Sequence, residues 1–169
     1  MTPNHASVMA RYNRWMNEKL YAVARSMSDE ERKRDRGAFF KSIHGTLNHI
    51  LLADVMWLAR FTGDSSASER LGIRSLDQEL FADFDALALE RAATDQAIAS
   101  FVAPLDAARL EAPLRYTRRG HDYEHPLWWA LAHFFNHQTH HRGQITTLFM
   151  QAGHDPGVTD LIAMMRDGA

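Results

Sequence analysis

His133-Phe-Phe-Asn-His137-Gln-Thr-His140-His141-Arg-Gly-Gln144 holds four of the chain's ten histidines within nine residues. The stretch lies inside a segment that reads as one long helix. Pro126 can occupy a first helical turn, where its missing N–H costs nothing. Leu127, Leu131, Phe134, Ile145, Leu148 and Phe149 then run through the segment, and Gly153 supplies a stop. Residues three or four apart share a helix face. His133/His137, His137/His141 and His137/His140 are therefore each placed to share a metal ion. A helical wheel at about 100° per residue separates these pairs. The apolar stripe centres near Leu131, Ile145 and Phe149. His141 lies at its edge beside Phe134 and Leu148, and His137 comes next. His133 and His140 turn further round, toward Asn136 and Thr139. A ligand pair facing the inside of a helical bundle is best made by His137 and His141.

Outward from this stretch, the chain reads as more helices. Met9, Tyr12, Met16, Leu20, Val23 and Met27 step by three and four, which predicts an amphipathic helix over about 5–27. Trp15 flanks that stripe as a core or interface aromatic. Ser28-Asp-Glu-Glu31 fits a capping box that opens a short helical turn. A second long helix is expected over about 42–61, apolar around much of its circumference and so packed on more than one side. His49 lies in it with Gly45, Leu52, Ala53 and Met56 on its face, which points it inward, either as a hydrogen-bonded core residue or as a ligand. His44 points elsewhere. Asp54 falls among apolar positions.

Residues 62–69 are turn-rich, and 72–77 continue irregular. A third long helix is expected over about 78–102, ended by Pro104, with another short turn over 105–110. Tyr116 and Tyr123 flank Arg119-Gly120, which predicts a small β-hairpin over 114–124. An isolated hairpin is marginal, so it must pack on the helices. His121 and His125 read as turn residues beside it. After the long last helix, residues 158–165 can form a final short one. Four long helices with short connections predict an all-α fold, an antiparallel four-helix bundle with a small hairpin before the last long helix. At 169 residues the chain is expected to be a single domain.

Composition narrows the function. A formal net charge of -2 gives no electrostatic footprint for nucleic acid. The absence of cysteine excludes disulfides, Cys-ligated zinc and a Cys nucleophile, and fits a reducing compartment. No apolar run approaches the length of a membrane span, and residues near the start lack the apolar core of a signal peptide. A cytoplasmic location is therefore expected, without membrane or nucleic-acid partners.

Neutral imidazole binds borderline metals through one ring nitrogen. His137 and His141 make half a site without backbone strain. A third histidine from a facing helix, His49, completes three ligands and leaves coordination positions open, as catalytic sites do. Such a metal can lower the pKa of bound water or deprotonate a thiol. Gln144, one turn beyond His141, can hydrogen-bond a ligand or the bound species, and Gly143 would let another helix approach closely. Other metal motifs are absent. A zincin requires a glutamate where Gln138 stands. A ferritin-like di-iron site requires Glu-x-x-His, and no glutamate here has a histidine three residues later. There is no G-x-S-x-G nucleophile elbow.

Three stretches together resemble the DinB family, within the wider DinB/YfiT-like superfamily. They are Ala10-Arg-Tyr-Asn-Arg-Trp-Met-Asn17, Ser42-Ile-His-Gly-Thr-Leu-Asn-His49 with Trp57 after it, and Phe134-Phe-Asn-His-Gln-Thr-His-His-Arg-Gly-Gln144. They appear in the family's order and span nearly the whole chain. The resemblance implies an antiparallel four-helix bundle, often a homodimer. It implies a three-histidine metal site with one ligand from the second long helix and two from the last, here His49, His137 and His141. The implied cofactor is one divalent ion, nickel or zinc, completed by water. Related members are thiol-dependent S-transferases and isomerases. The resemblance thus implies a metal-dependent transferase, in which a low-molecular-weight thiol bound as thiolate attacks a small electrophilic substrate. Hydrolysis by metal-bound water, or a non-catalytic metal or small-ligand binding role in stress response, are the alternatives. The family name refers to DNA-damage induction and does not imply polymerase activity.

Overall fold

Helix caps decide where most elements begin. The computed structural model describes residues 1–166. Thr2 caps α1 (Pro3–Ser26) through its side-chain oxygen, and proline occupies the first turn. Ser28 and Glu31 form the expected capping box on α2 (Asp29–Lys33). Ser42 caps α3 (Ile43–Thr62), close to the predicted span. The turn-rich stretch that follows contains a short helix, α4 (Ser66–Arg70), which its polar composition did not announce.

The third long helix, α5 (Phe84–Val102), starts later than its apolar spacing predicts. Two groups stop it from extending backward. Asp83 caps it by accepting from the Ala86 N–H. Before that, the Asn48 side-chain oxygen accepts from the Leu80 and Phe81 N–H groups, each at 2.9 Å, and holds this backbone out of a helix.

Asp106 caps α6 (Ala107–Glu111). The predicted hairpin follows as β1 (Pro113–Arg118) and β2 (His121–Pro126), antiparallel, with Tyr116 opposite Tyr123. Arg119 and Gly120 both have positive φ at its tip, as the tightest hairpin turns require. Pro126 closes the hairpin rather than entering the helix: it is the N-cap of α7 (Leu127–Gln151). α8 (Leu161–Arg166) is the expected final short helix.

The described residues are thus mostly helical with one small two-stranded sheet. α1 packs on α5 and α7, and α3 packs on the same two helices. Two apolar clusters fill the interior. One includes Met16, Leu20, Leu47, Leu51, Leu87, Ile145 and Phe149. The other includes Ala6, Phe61, Ile98, Leu127, Leu131 and Phe134. The order in which each helix visits the clusters gives its direction. α1 and α7 run from the second cluster to the first, while α3 and α5 run from the first to the second. The connection over 63–83 must therefore carry the chain back from the second cluster to the first, and it is longer than the loop over about 62–77 expected between those two helices.

Between the clusters lies a buried polar layer to which every long helix contributes. Arg91 pairs with Asp54 at 2.6 Å and with Asp95 at 2.9 Å. Asn13 and Asn17 donate to Asp95 at 3.0 and 2.9 Å, Gln138 donates to Asp54 at 2.9 Å, and Arg142 donates to Asn13. Burial drives the Asp54 carboxyl up to about 6, against the opposing pull of Arg91. Charges buried this way add little net stability, but they tie all four long helices to one another. Asp54 is therefore a structural carboxylate rather than part of the histidine cluster.

Candidate metal centre

The polar layer sets the rotation of α7. With Gln138 and Arg142 facing inward, His141 is buried, His137 lies half-buried one turn earlier, and His133 and His140 fall on the exposed side. This is the order the wheel predicts. On α3, His49 is buried and faces α7. Ligand nitrogens of His49, His137 and His141 all lie within 4.8 Å of one another, and this group could hold a metal ion. The Nε2 atoms of His49 and His137 are 3.3 Å apart.

Partners on the far side of two rings fix their tautomers. His49 Nδ1 lies 2.8 Å from the Leu76 carbonyl, which can only accept, so Nδ1 carries the proton and the Nε2 lone pair faces the cluster. His141 Nδ1 donates in the same way to Gln144 Oε1 at 2.8 Å. Gln144 also donates from Nε2 toward His140 Nε2 at 3.3 Å, so its amide orients both neighbouring histidines. Hydrogen-bonded outer nitrogens are the usual support of metal-binding histidines.

The donor set fits a borderline divalent ion. Two nitrogens each about 2.0–2.1 Å from a tetrahedral ion stand roughly 3.3–3.4 Å apart, which matches the His49–His137 separation. Burial and neighbouring histidines also keep these rings neutral, the form that ligates. Burial is the largest cause throughout, and pushes His137 down to about 3 and His141 to about 4. His49 is lowered too, again chiefly by burial.

Two supports had little or no signal in the sequence. Phe40 stacks on His49 with ring centroids 3.8 Å apart, and meets His141 edge-on at 5.6 Å. Its only hint was an apolar Phe39-Phe40 pair inside a polar connector. The Leu76 carbonyl belongs to a loop held by Gln78, which accepts from the Arg74 N–H and donates to the Gly72 carbonyl, and a backbone acceptor leaves no trace in residue identity.

Three of the other histidines make contacts of their own. His133 packs its ring on Trp57 at 5.2 Å. His44 Nε2 bonds the Phe81 carbonyl at 2.7 Å, away from the cluster, as expected. His125 Nε2 bonds the Tyr116 hydroxyl at 3.2 Å inside the hairpin. Trp15 is half-buried against the core, stacked on Tyr12 and capped by Lys19. Gly143 does not serve a close helix approach: the space a Cβ would occupy there is open.

Solvent reaches the centre from one side. A cleft of about 1190 Å³ opens beside His49, bordered by Phe40, Leu76 and the hairpin tip at Arg118 and Arg119. A smaller pocket of about 200 Å³ reaches His49 and His137 between Trp57 and His133. Among the described residues no helix is long and apolar enough to cross a membrane.

Comparison with known proteins agrees with this architecture. The chain is 25% identical over 166 residues to Protein DinB of Bacillus subtilis (strain 168), covering 88% of this chain and 87% of that one. Its fold is similar to the crystal structure of a DinB-like protein from Bacillus cereus ATCC 10987. That match has a TM-score of 0.58 and 21% identity, and covers 85% of this chain and 90% of the other. The DinB family model matches residues 1–167. The chain belongs to the DinB family.

Proposed function

We propose that this protein is a metal-dependent enzyme whose three histidine side chains hold one divalent ion, nickel or zinc, and that its reaction is thiol transfer to a small electrophile. The observation that carries this reading is the convergence of three neutral imidazoles, one of which, His49, lines an open cleft. A saturated structural site would be closed on all sides. A bound dication would supply the means of holding a thiol as thiolate at neutral pH. The chain's own residues do the rest. Leu76 and Gln144 fix the proton on the outer nitrogens of His49 and His141. Phe40 covers one face of His49 and keeps water from that side. With no cysteine in the chain, the thiol must come from outside it, in this reading from a small molecule. In the same reading the four long helices form one antiparallel bundle, α1 and α7 against α3 and α5, and the protein is a homodimer.

Elemental mass spectrometry on untagged protein tests the site. About one divalent ion per chain is expected, lost on His49→Ala, His137→Ala or His141→Ala and kept on His133→Ala and His140→Ala. No metal in the wild type after reconstitution overturns the reading. Cobalt-substituted protein titrated with a small thiol tests the reaction class: a sulfur-to-metal charge-transfer band in the near ultraviolet is expected. Its absence, with metal bound, overturns thiol transfer. Sedimentation velocity, returning twice the chain mass, checks the dimer.

A further inference from the structure

The small pocket beside the histidines has an unusual wall. Among the described residues that line it are two arginines, Arg60 and Arg118, and no carboxylate. Neither arginine makes an ion pair with a described residue. The contrast within the hairpin is direct. Arg115, on the same strand as Arg118, is neutralised by Glu124 at 2.6 Å.

Arg60 is also held in place. Its guanidinium lies over the Trp57 ring at 4.5 Å and the Tyr116 ring at 4.9 Å, and those two rings meet edge-on at 5.5 Å. Stacking of this kind fixes the plane of the guanidinium while leaving its N–H edge free to donate. Burial, and the like charge of Arg118, both weigh against the Arg60 cation, while Tyr116 favours it. The adjoining larger cleft does carry carboxylates, Asp35, Asp77 and Glu79, but none of them pairs with either arginine. Two cations lining one small pocket whose own wall holds no carboxylate are unfavourable in the empty protein and become favourable once an anion binds.

The position is as informative as the charge. Arg60 and Arg118 line both the small pocket and the larger cleft, so they stand where the two join. The small pocket continues past Trp57 and His133 to His137 and His49. One molecule can therefore reach His49 and His137 of the histidine centre with one end and the arginines with the other. We propose that Arg60 and Arg118 form an oxyanion-binding subsite, so that the small molecule handled at the histidine centre carries a carboxylate or phosphate group. This rests on the metal-centred reading above, for which it names the substrate class.

The test is isothermal titration calorimetry at low ionic strength on the full chain, metal-free and zinc-loaded. The probes are succinate, inorganic phosphate and the uncharged succinamide. The metal-free form reads the arginines alone, since no anion can then bind through zinc. Binding of succinate or phosphate but not succinamide is expected, weakened at least about tenfold by Arg60→Gln and by Arg118→Gln. Arg60→Lys, which keeps the charge but not the fork, should fall between. Whichever anion binds more tightly identifies the group. Arg118 lies on the exposed hairpin, so its variant tests the proposal even if Arg60→Gln were to unfold, which melting curves would report. Binding equal in wild type and variants, or no anion binding to metal-free protein, overturns the subsite; normal zinc content in that protein would leave the three-histidine reading intact. Anion binding with uptake of neither zinc nor nickel supports the subsite and overturns the metal reading.

Discussion

Phe40 lies face to face on His49, 3.8 Å between ring centroids and 17° from parallel. The contact depends on a tight turn ahead of α3. Lys41 adopts positive φ, its N–H bonds the Ala38 carbonyl at 2.7 Å, and the Ser42 N–H bonds the Phe40 carbonyl at 2.7 Å. Gly45, one helical turn before His49, makes the turn possible. A Cβ there would sit 2.3 Å from the Phe40 carbonyl oxygen, which is backbone and cannot swing aside.

Gly45→Ala is therefore expected to push the Phe40 turn off His49. Overpacking of this kind costs about 1–3 kcal/mol, opposite in sign to the gain that Gly→Ala normally brings inside a helix. Chemical denaturation measures the stability, and chelator competition should show weaker metal binding. A stabilised variant would mean that the turn is not held as described.

Gln144→Leu removes the acceptor from His141 Nδ1 while keeping the side chain's bulk. No hydrogen bond then fixes the His141 tautomer, and only ring packing holds its angle. Metal affinity is expected to fall about 10–100-fold, as when such outer partners are lost elsewhere. Competition with a chromophoric chelator reads this directly. Gln144→Glu, which retains an acceptor, should lose much less.

Arg91→Met tests the polar layer. It leaves Asp54 and Asp95 buried without their cation. Breaking a buried pair from one side costs about 3–5 kcal/mol. Urea denaturation should show that loss. A change under about 1 kcal/mol would mean that water or rearranged partners neutralise the aspartates.

Metal-free protein should lose stability in mild acid. An unfolded histidine titrates near 6.5, whereas burial holds His137 down to about 3 and His141 to about 4. Between those values the unfolded chain binds more protons than the folded one, so stability rises with pH. This contribution is complete above about 6.5 and is lost as pH falls through the window to about 3. Denaturation curves from pH 7 to 4 should show it, and His137→Ala should flatten the slope. A slope unchanged by that variant would place the acid sensitivity elsewhere.

The sequence by itself determined the long helices, the hairpin and the order of the four clustered histidines around α7. Each follows from local periodicity, caps and turn residues, which act over a few neighbouring positions. It also singled out His49 as inward, because its helix neighbours are apolar. The late start of α5, the helix within the turn-rich stretch and the direction of each long helix were decided elsewhere. Asn48 reaches across to hold residues 80 and 81 out of a helix that their own apolar spacing favours. The inward turn of Gln138 and Arg142 likewise depends on Asp54, Asp95 and Asn13 from three other helices. Tertiary structure alone set the Phe40 stack, the Leu76 carbonyl and the pairing of Arg60 with Arg118 at one pocket. Those relationships join residues far apart in the chain, and a backbone carbonyl or an uncompensated charge acquires its meaning only from what packing brings beside it.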